Sequence, residues 1–557
     1  MNNMFGSSTI FAFFLVILLF NPLVKLSAQN TGFTNVTESA GIDFRYTFGD
    51  YTYENILESS GSGITVFDYN NDGWMDLYMI NGTWLDGISD PEGNVFKDTP
   101  NKLYKNNGDG TFTDVAKEAG LDDKKWGMAA GAIDYDNDGD KDLYLLNYGP
   151  NVFFQNNGDG TFTDITSSLG LRGPEKLNGF EKWSVGVAFW DFDSDNRIDA
   201  MVGNFLAFDP DYISPTTPEM MPHPSEYKGQ ASMLYRQDAD GKFEDVTKEY
   251  GLHFPDSKCM GITVFDYDDD GDLDIFQGND HQLNFLFRND DLKYTDVAIP
   301  SGVAANSHGV PTGSMHGSIG DIDGDGLTDL LVTDLRYGAM YQNIGNGLFT
   351  DVTEKSGIAE AFAGKGAWAA MLFDYDNDGD PDIFSANGNA EELILQYPVL
   401  LENDGKGNFT NVGNEKNNYF STKRSGRAAA VWDYDNDGDM DIIVSHVDLE
   451  ATPVLLRNDG GHSNHWLGLA LKGKNGCSSA IGAKVIVHTG NKKQVHINQW
   501  ATSYLSNHDP RLHIGLGKQN KIDQIEIHWS DGIRETYKNL PTNRYLTIKQ
   551  GVGIVKE

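Results

Sequence analysis

A single nine-residue pattern, D-x-D-x-D-G-x-x-D, returns seven times along this 557-residue chain. It starts at Asp68, Asp134, Asp191, Asp266, Asp321, Asp374 and Asp433, at spacings of 66, 57, 75, 55, 53 and 59 residues. A period of that size built from short apolar runs means one supersecondary unit per repeat. Each loop follows a run rich in small residues, such as GMAAGAIDY, SVGVAFWDF, AWAAMLFDY and RAAAVWDY. Gly and Ala there let strands crowd round a central axis. Each loop is followed by a run apolar on both faces (DLYLL, DIFQG, DIIVS), as in a sheet packed between sheets. Phrases such as NNGDGTFTDV, from Asn106 to Val115, read as a hairpin turn with an outer strand. The expected architecture is an all-β, seven-bladed β-propeller.

Closure is legible too. Gly32 to Thr37 reads as an outer strand with no blade before it, and the seventh repeat ends at Gly460 without an outer strand. The N-terminal strand is expected to complete blade seven and so protect the ring's edges.

The loops carry the chemistry. Their oxygen-bearing side chains are Asp68, Asn70, Asp72 and Asp76; Asp134, Asp136, Asp138 and Asp142; Asp191, Asp193, Asp195 and Asp199; Asp266, Asp268, Asp270 and Asp274; Asp321, Asp323, Asp325 and Asp329; Asp374, Asp376, Asp378 and Asp382; and Asp433, Asp435, Asp437 and Asp441. Positions 1, 3, 5 and 9 supply side-chain oxygens. Position 6 needs a left-handed backbone, hence Gly, or Asn196 in the third loop. Position 7 ligates through its carbonyl, so its side chain varies freely, from Trp74 to Arg197 to Leu327. Oxygen-only ligands on one turn of chain select Ca²⁺. About seven calcium sites are expected, mainly structural. The glutamate of an EF-hand and its flanking helices are missing.

Charge supports this. The formal charge is −40, from 82 acidic and 42 basic residues, which argues against nucleic acid. With 12% aromatic and 39% hydrophobic residues the acid belongs to a folded chain. The two cysteines, Cys259 and Cys477, form no disulfide framework and are expected as free thiols. Ile10 to Phe20 is an apolar core followed by Leu26-Ser27-Ala28, so residues 1–28 read as a signal peptide cleaved after Ala28. No Lys or Arg precedes Ile10, which leaves an uncleaved anchor open. A secreted, periplasmic or cell-surface protein follows, with no membrane span in the mature chain.

The repeats resemble FG-GAP/VCBS repeats, the blades of integrin α-chain propellers, over Gly32 to Gly461. The resemblance implies calcium loops on the face opposite the ligand face. From about His462 to residue 557 short alternating strands form a second, small β domain. Ile481-Gly482-Ala483-Lys484-Val485, Tyr504-Leu505-Ser506 and Pro510-Arg511-Leu512-His513 resemble the ASPIC/UnbV domain. Together, residues 29–461 and 462–557 look like the cartilage acidic protein 1 family, which implies adhesion or binding outside the cell. His496, His508, His513 and His528 read as strand or surface histidines.

Loops opposite the Asp loops hold basic and aromatic residues. Those singled out as ligand contacts are Trp126, Lys182, Trp183, Lys258, His281, His316, Trp368, Arg424, Arg427 and His446. They suggest a glycan, or an extracellular or envelope protein, as partner. The nucleophile-elbow, zincin, P-loop and dinucleotide motifs are absent. The reading therefore leans away from an enzyme, and no catalytic residue is assigned. The alternative is a calcium-dependent polysaccharide lyase, or another glycan-active enzyme, using the same face.

Overall fold

The computed structural model describes residues 32–335, 337–448, 452–474 and 478–556. The expected signal segment and Cys477 lie outside them. Cys259 is a buried free thiol. No described helix is long and apolar enough to cross a membrane.

The fold is all-β. Most of its repeats form one antiparallel sheet of four consecutive strands, as in Gly127–Ile133, Asp142–Asn147, Val152–Asn156 and Phe162–Asp164. Among the described residues, seven sheets follow this order along their first three strands. The first strand lies innermost, and there the small residues matter. A Cβ on Gly131 would sit 2.6 Å from the Phe189 ring of the next sheet. One on Gly261 would meet the His316 ring at 2.3 Å. The second strand is buried throughout, whereas in the outer strand only Phe162 turns inward. That gradient from closed to half-exposed follows from stacking sheets face to face.

First strands of neighbouring sheets pack side by side. Ile64–Phe67 lies against Gly127–Ile133 on one side and Gly426–Trp432 on the other. Thr65 Oγ1 donates to Ala130 O at 2.8 Å, and Ser445 Oγ of the last repeat donates to Ser62 O of the first at 2.8 Å. A side-chain amide at the end of the third strand repeatedly ties a sheet to the Asp loop of the sheet before it. Asn156 donates to Tyr69 O at 2.8 Å, Gln237 to Tyr135 O at 3.1 Å, Asn343 to Tyr267 O at 2.9 Å and Asn403 to Ile322 O at 2.9 Å. Asn106 of the first sheet reaches Tyr434 O of the last at 2.7 Å. The strand Phe33–Asn35 pairs antiparallel with Val454–Asn458, with Phe33 opposite Asn458.

Two further four-stranded sheets are built from the C-terminal residues. One joins Leu512–Gly517, His465–Lys472, Tyr545–Lys549 and Gly553–Lys556; the other joins Lys492–Ile497, Lys484–Thr489, Ile522–His528 and Arg534–Leu540. Their alternating apolar residues, including Leu467, Val485, Ile514, Ile525 and Leu546, close a separate core. This unit sits on the Asp-loop face.

From it the segment 499–509 runs in among the first strands of the sheets. Ser506–Asn507 pairs in parallel with Ile64–Thr65, and Leu505 O accepts from Ile64 N at 3.1 Å. Asn507 Nδ2 donates to Ala130 O at 2.7 Å, and Asp509 N donates to Val431 O at 3.1 Å. The Tyr504 ring lies 5.0 Å from Trp368. One polar segment therefore bonds the innermost strands of several sheets.

Candidate metal centre

Each Asp loop is wound by its own carboxylates. In six of the loops the first Asp accepts from the backbone N–H of the sixth residue, at 2.8 to 3.1 Å, as Asp68 does from Gly73 and Asp433 from Gly438. In all seven the fifth-position Asp accepts from the N–H of the seventh. The sixth residue is left-handed, as expected, with φ from 67° at Asn196 to 100° at Gly139. So is the fourth, which the sequence reading passed over: Asn71, Asn137, Ser194, Asp269, Gly324, Asn377 and Asn436 have φ between 57° and 75°. The signal was present, since six of these seven are Asn, Asp or Gly, the residue types that tolerate that region.

The ninth-position Asp has a second role. Its two oxygens accept from the second residue of the loop and from the end of the third strand. Asp76 takes Tyr69 N at 3.1 Å and Asn106 N at 2.8 Å. Asp142, Asp199, Asp274, Asp329, Asp382 and Asp441 repeat the arrangement. Each of these carboxylates therefore staples the loop to its sheet and keeps one lone pair per oxygen for a ligand.

The carboxylates converge. Ligand atoms of Asp134, Asp136 and Asp142 lie within 4.8 Å of one another, as do those of Asp191, Asp193 and Asp199, of Asp266, Asp268 and Asp274, of Asp321, Asp323 and Asp325, and of Asp374, Asp376 and Asp382. Buried oxygens face these clusters without a hydrogen-bond partner: Oδ1 of Asp134, Asp193, Asp266, Asp268, Asp374 and Asp435. Burial, helped by neighbouring carboxylates, pushes Asp142 and Asp199 up to about 8 and Asp274 up to about 9, even against their backbone hydrogen bonds. Orphaned acceptors of one sign, held together out of water, are the environment a cation relieves. The donor set is oxygen alone, so it fits a hard divalent cation.

The opposite face differs from expectation. Eight of the ten residues singled out there are buried: Trp126, Lys182, Trp183, Lys258, His316, Trp368, Arg427 and His446. Trp183 packs edge-on against Tyr148, Phe205 and Phe208 and offers no stacking platform. Lys182 Nζ donates inward to Arg172 O at 2.7 Å, and burial pulls its pKa down to about 7. Lys258 Nζ donates to Pro224 O at 2.8 Å. Only His281, whose ring lies 4.1 Å from that of His223, and Arg424 keep part of their surface. The physical reason is position: most of these residues lie in or just before first strands, and His446 ends a second strand, where neighbouring sheets close over them. The strand-end amides are likewise used internally, Asn147 on Pro150 O and Asn387 on Tyr397 O.

His316 and His446 also fail as a solvent-facing base for a lyase. Burial pulls their pKa values down to about 4 and about 3. His446 is satisfied as a neutral ring, between Thr452 O at 3.1 Å and the Tyr419 hydroxyl at 3.2 Å. A histidine with a lowered folded-state pKa binds its proton more readily when unfolded, so stability falls as pH drops from 6.5 toward 4. Each ring is expected to contribute on the order of 3 kcal/mol to that loss by pH 4. Urea unfolding at saturating calcium should show His446→Gln with a flatter acid limb than wild type; equal limbs would refute the assignment.

The exposed side chains of this face are others. Tyr51, Val95, Ile213, Met220, Ile394 and Tyr397 are 44% to 71% exposed. They lie in loops at the end of the sheets away from the Asp loops, and Lys423 stands 5.3 Å over the Tyr397 ring.

Comparison with known proteins agrees with this geometry. The FG-GAP-like repeat model matches residues 85–145, 134–202, 227–277, 266–332, 321–385 and 374–444, and the ASPIC and UnbV model matches 473–555. Cartilage acidic protein 1 of Xenopus tropicalis is 27% identical over 304 residues, 52% of this chain and 44% of the relative. The Homo sapiens protein is 25% identical over 309 residues, 54% of this chain and 37% of the relative. The match thus spans less than half the length of either relative. A solved Agrocybe aegerita lectin specific for non-reducing terminal N-acetylglucosamine aligns at 17% identity over 66% of this chain and 86% of its own. Its TM-score is 0.38, too low to carry any statement about a ligand. The repeats and the C-terminal segment together place the chain in the FG-GAP-repeat family, with an ASPIC/UnbV domain at its C-terminal end.

Proposed function

We propose that this chain is an exported binding module: a calcium-stabilised, seven-bladed propeller closed by its N-terminal strand. Residues 29–461 form the propeller and 462–557 the second domain, and a glycan or an extracellular or envelope protein binds the face opposite the Asp loops. The side-by-side first strands and the pairing of Phe33–Asn35 with Val454–Asn458 support the closed ring. Orphaned carboxylate oxygens in five of the loops and the converging carboxylates of Asp321, Asp323 and Asp325 support calcium there, and the shared sequence pattern extends the reading to Asp68, Asn70, Asp72 and Asp76. When bound, the ion would neutralise the loop and fix its winding, a structural task.

One observation carries the choice of face. The C-terminal domain covers the loop face and the segment 499–509 fills the axis. The opposite face keeps the longest inter-strand loops, including 205–232, and the exposed Tyr51, Ile213, Ile394 and Tyr397. Aromatic and aliphatic groups exposed on rigidly anchored loops are characteristic of recognition surfaces.

The test is a screen against glycans and matrix or envelope proteins. A ligand bound by wild type should be lost, by roughly ten-fold or more in affinity, in the double variant Ile394→Asp, Tyr397→Ala. Ligand binding unchanged in that variant would overturn the assignment of this face.

A further inference from the structure

We infer that the C-terminal domain docks by reading the fourth residue of four of the Asp loops, so that cation occupancy of these loops and seating of the domain are coupled. The inference rests on the calcium reading above and adds a consequence to it.

The contacts share one register. Asn137 Oδ1 accepts from Ser478 N at 3.1 Å. Asp269 Oδ1 pairs with Lys484 Nζ at 2.5 Å. Asn377 Oδ1 meets His513 Nε2 at 2.5 Å, and Asn377 O accepts from Gly517 N at 2.8 Å. Asn436 Oδ1 accepts from Arg511 Nη1 at 2.6 Å. All four residues occupy the fourth position of their loops, at φ of 57° to 62°. The amide of Asn377 is oriented by its own donation to Gly438 O at 2.9 Å, so its oxygen faces the histidine. Among the described residues, no hydrogen bond or ion pair from the C-terminal sheets reaches the fourth residue of the other three loops. Asn71 turns sideways to Asp140 of the neighbouring loop, and Gly324 has no side chain to offer.

The fourth residue lies between ligands three and five, and its left-handed backbone persists while the loop is wound. Without a cation the carboxylates repel one another, the winding relaxes, and the side chain the domain reads moves away. The domain also touches the first-position carboxylates directly: Ser478 Oγ donates to Asp134 Oδ2 at 2.8 Å, and the Tyr545 hydroxyl donates to Asp433 Oδ2. At the sixth loop Gly515 comes so close that a Cβ there would stand 1.9 Å from Asp374 Oδ2. Such a fit depends on one loop geometry. Because the axial segment 499–509 belongs to the same domain, its place between the innermost strands depends on the same four loops. Coupling of this kind is reciprocal: what loosens the domain weakens the cations, and the reverse.

Amide hydrogen exchange on the full-length protein, with free calcium titrated downward, tests this. The Ile64 amide, bonded to Leu505 O, and the Asp509 amide, bonded to Val431 O, report docking. Leu145, inside the second sheet, reports the ring. Ile64 and Asp509 are expected to lose protection at a calcium level where Leu145 keeps it. Loss only together with Leu145, or retention after the metal has gone, would overturn the coupling. In the second arm, Lys484→Gln with Arg511→Gln should split calcium binding into two classes. Four sites weaken by roughly ten-fold while three hold; a single unchanged class counts against the inference. Elemental analysis of the untreated protein separates the two: absence of metal overturns the calcium reading and the coupling with it, whereas bound metal with Ile64, Asp509 and Leu145 losing protection together overturns the coupling alone.

Discussion

Excess EDTA is expected to lower the stability of this protein by about 3 to 10 kcal/mol. The range follows from linkage: at about 1 mM free calcium, a site with Kd of about 10⁻³ to 10⁻⁴ M contributes about 0.4 to 1.4 kcal/mol, and seven such sites add. That sum rivals the whole folding stability of an ordinary domain, about 5 to 15 kcal/mol. A Tm lowered by roughly 3 to 11 °C should appear in calorimetry, recovered by added calcium. The single-loop variant Asp435→Asn disturbs one site, through an oxygen that has no hydrogen-bond partner, and should lose only about 1 kcal/mol. Asp441→Ala should lose more, about 2 to 4 kcal/mol, since Tyr434 N and Asn458 N forfeit their acceptor as well. An unchanged Tm in EDTA, with no metal by elemental analysis, would remove the cation from the account of the fold.

The contrast between those two variants shows where the sequence stops being readable. The D-x-D-x-D-G pattern is local: ligands one, three and five lie on one turn of chain, so spacing alone exposes them. The double acceptance by the ninth Asp joins residues up to 38 positions apart, as from Asp199 to Gln237, and no spacing rule announces it. The fourth position was readable in principle, because Asn, Ser, Asp and Gly are the residues that stand in for one another at positive φ. Trp126, Trp183 and Trp368 misled because a loop-edge tryptophan and a core tryptophan look alike until the neighbouring sheets are in place. The stretch 499–509, QWATSYLSNHD, is polar and turn-like. Nothing local in it says that its amide and carbonyl groups will be spent on the first strands of several sheets. Contacts between sheets decide these cases, and no local pattern in the chain announces them.

Arg427→Ala should destabilise the protein by about 3 to 5 kcal/mol, whereas Arg424→Ala, three residues earlier, should stay within about 0.5 kcal/mol. Arg427 is fully buried at the axis. Its Nε donates to Ser59 O at 2.7 Å, Nη1 to Gly426 O at 3.0 Å and Ser425 Oγ at 3.2 Å, and Nη2 to Asn389 O at 2.9 Å and the Tyr53 hydroxyl at 2.8 Å. Its guanidinium lies 4.2 Å from the Trp368 ring centroid. The five donors of one planar group thus hold the last repeat, the segment before the first repeat and the loop after Asn387 in a single clamp. Truncation leaves acceptors unpaired where water is scarce, and lysine cannot restore the fork. Chemical denaturation at saturating calcium measures both variants. If Arg427→Ala instead kept full stability and lost only ligand binding, the side chain would have to reach the surface in solution. A residue of the same charge and nearly the same place in the sequence thus separates a clamp from a contact, because burial makes the two roles differ by several kcal/mol.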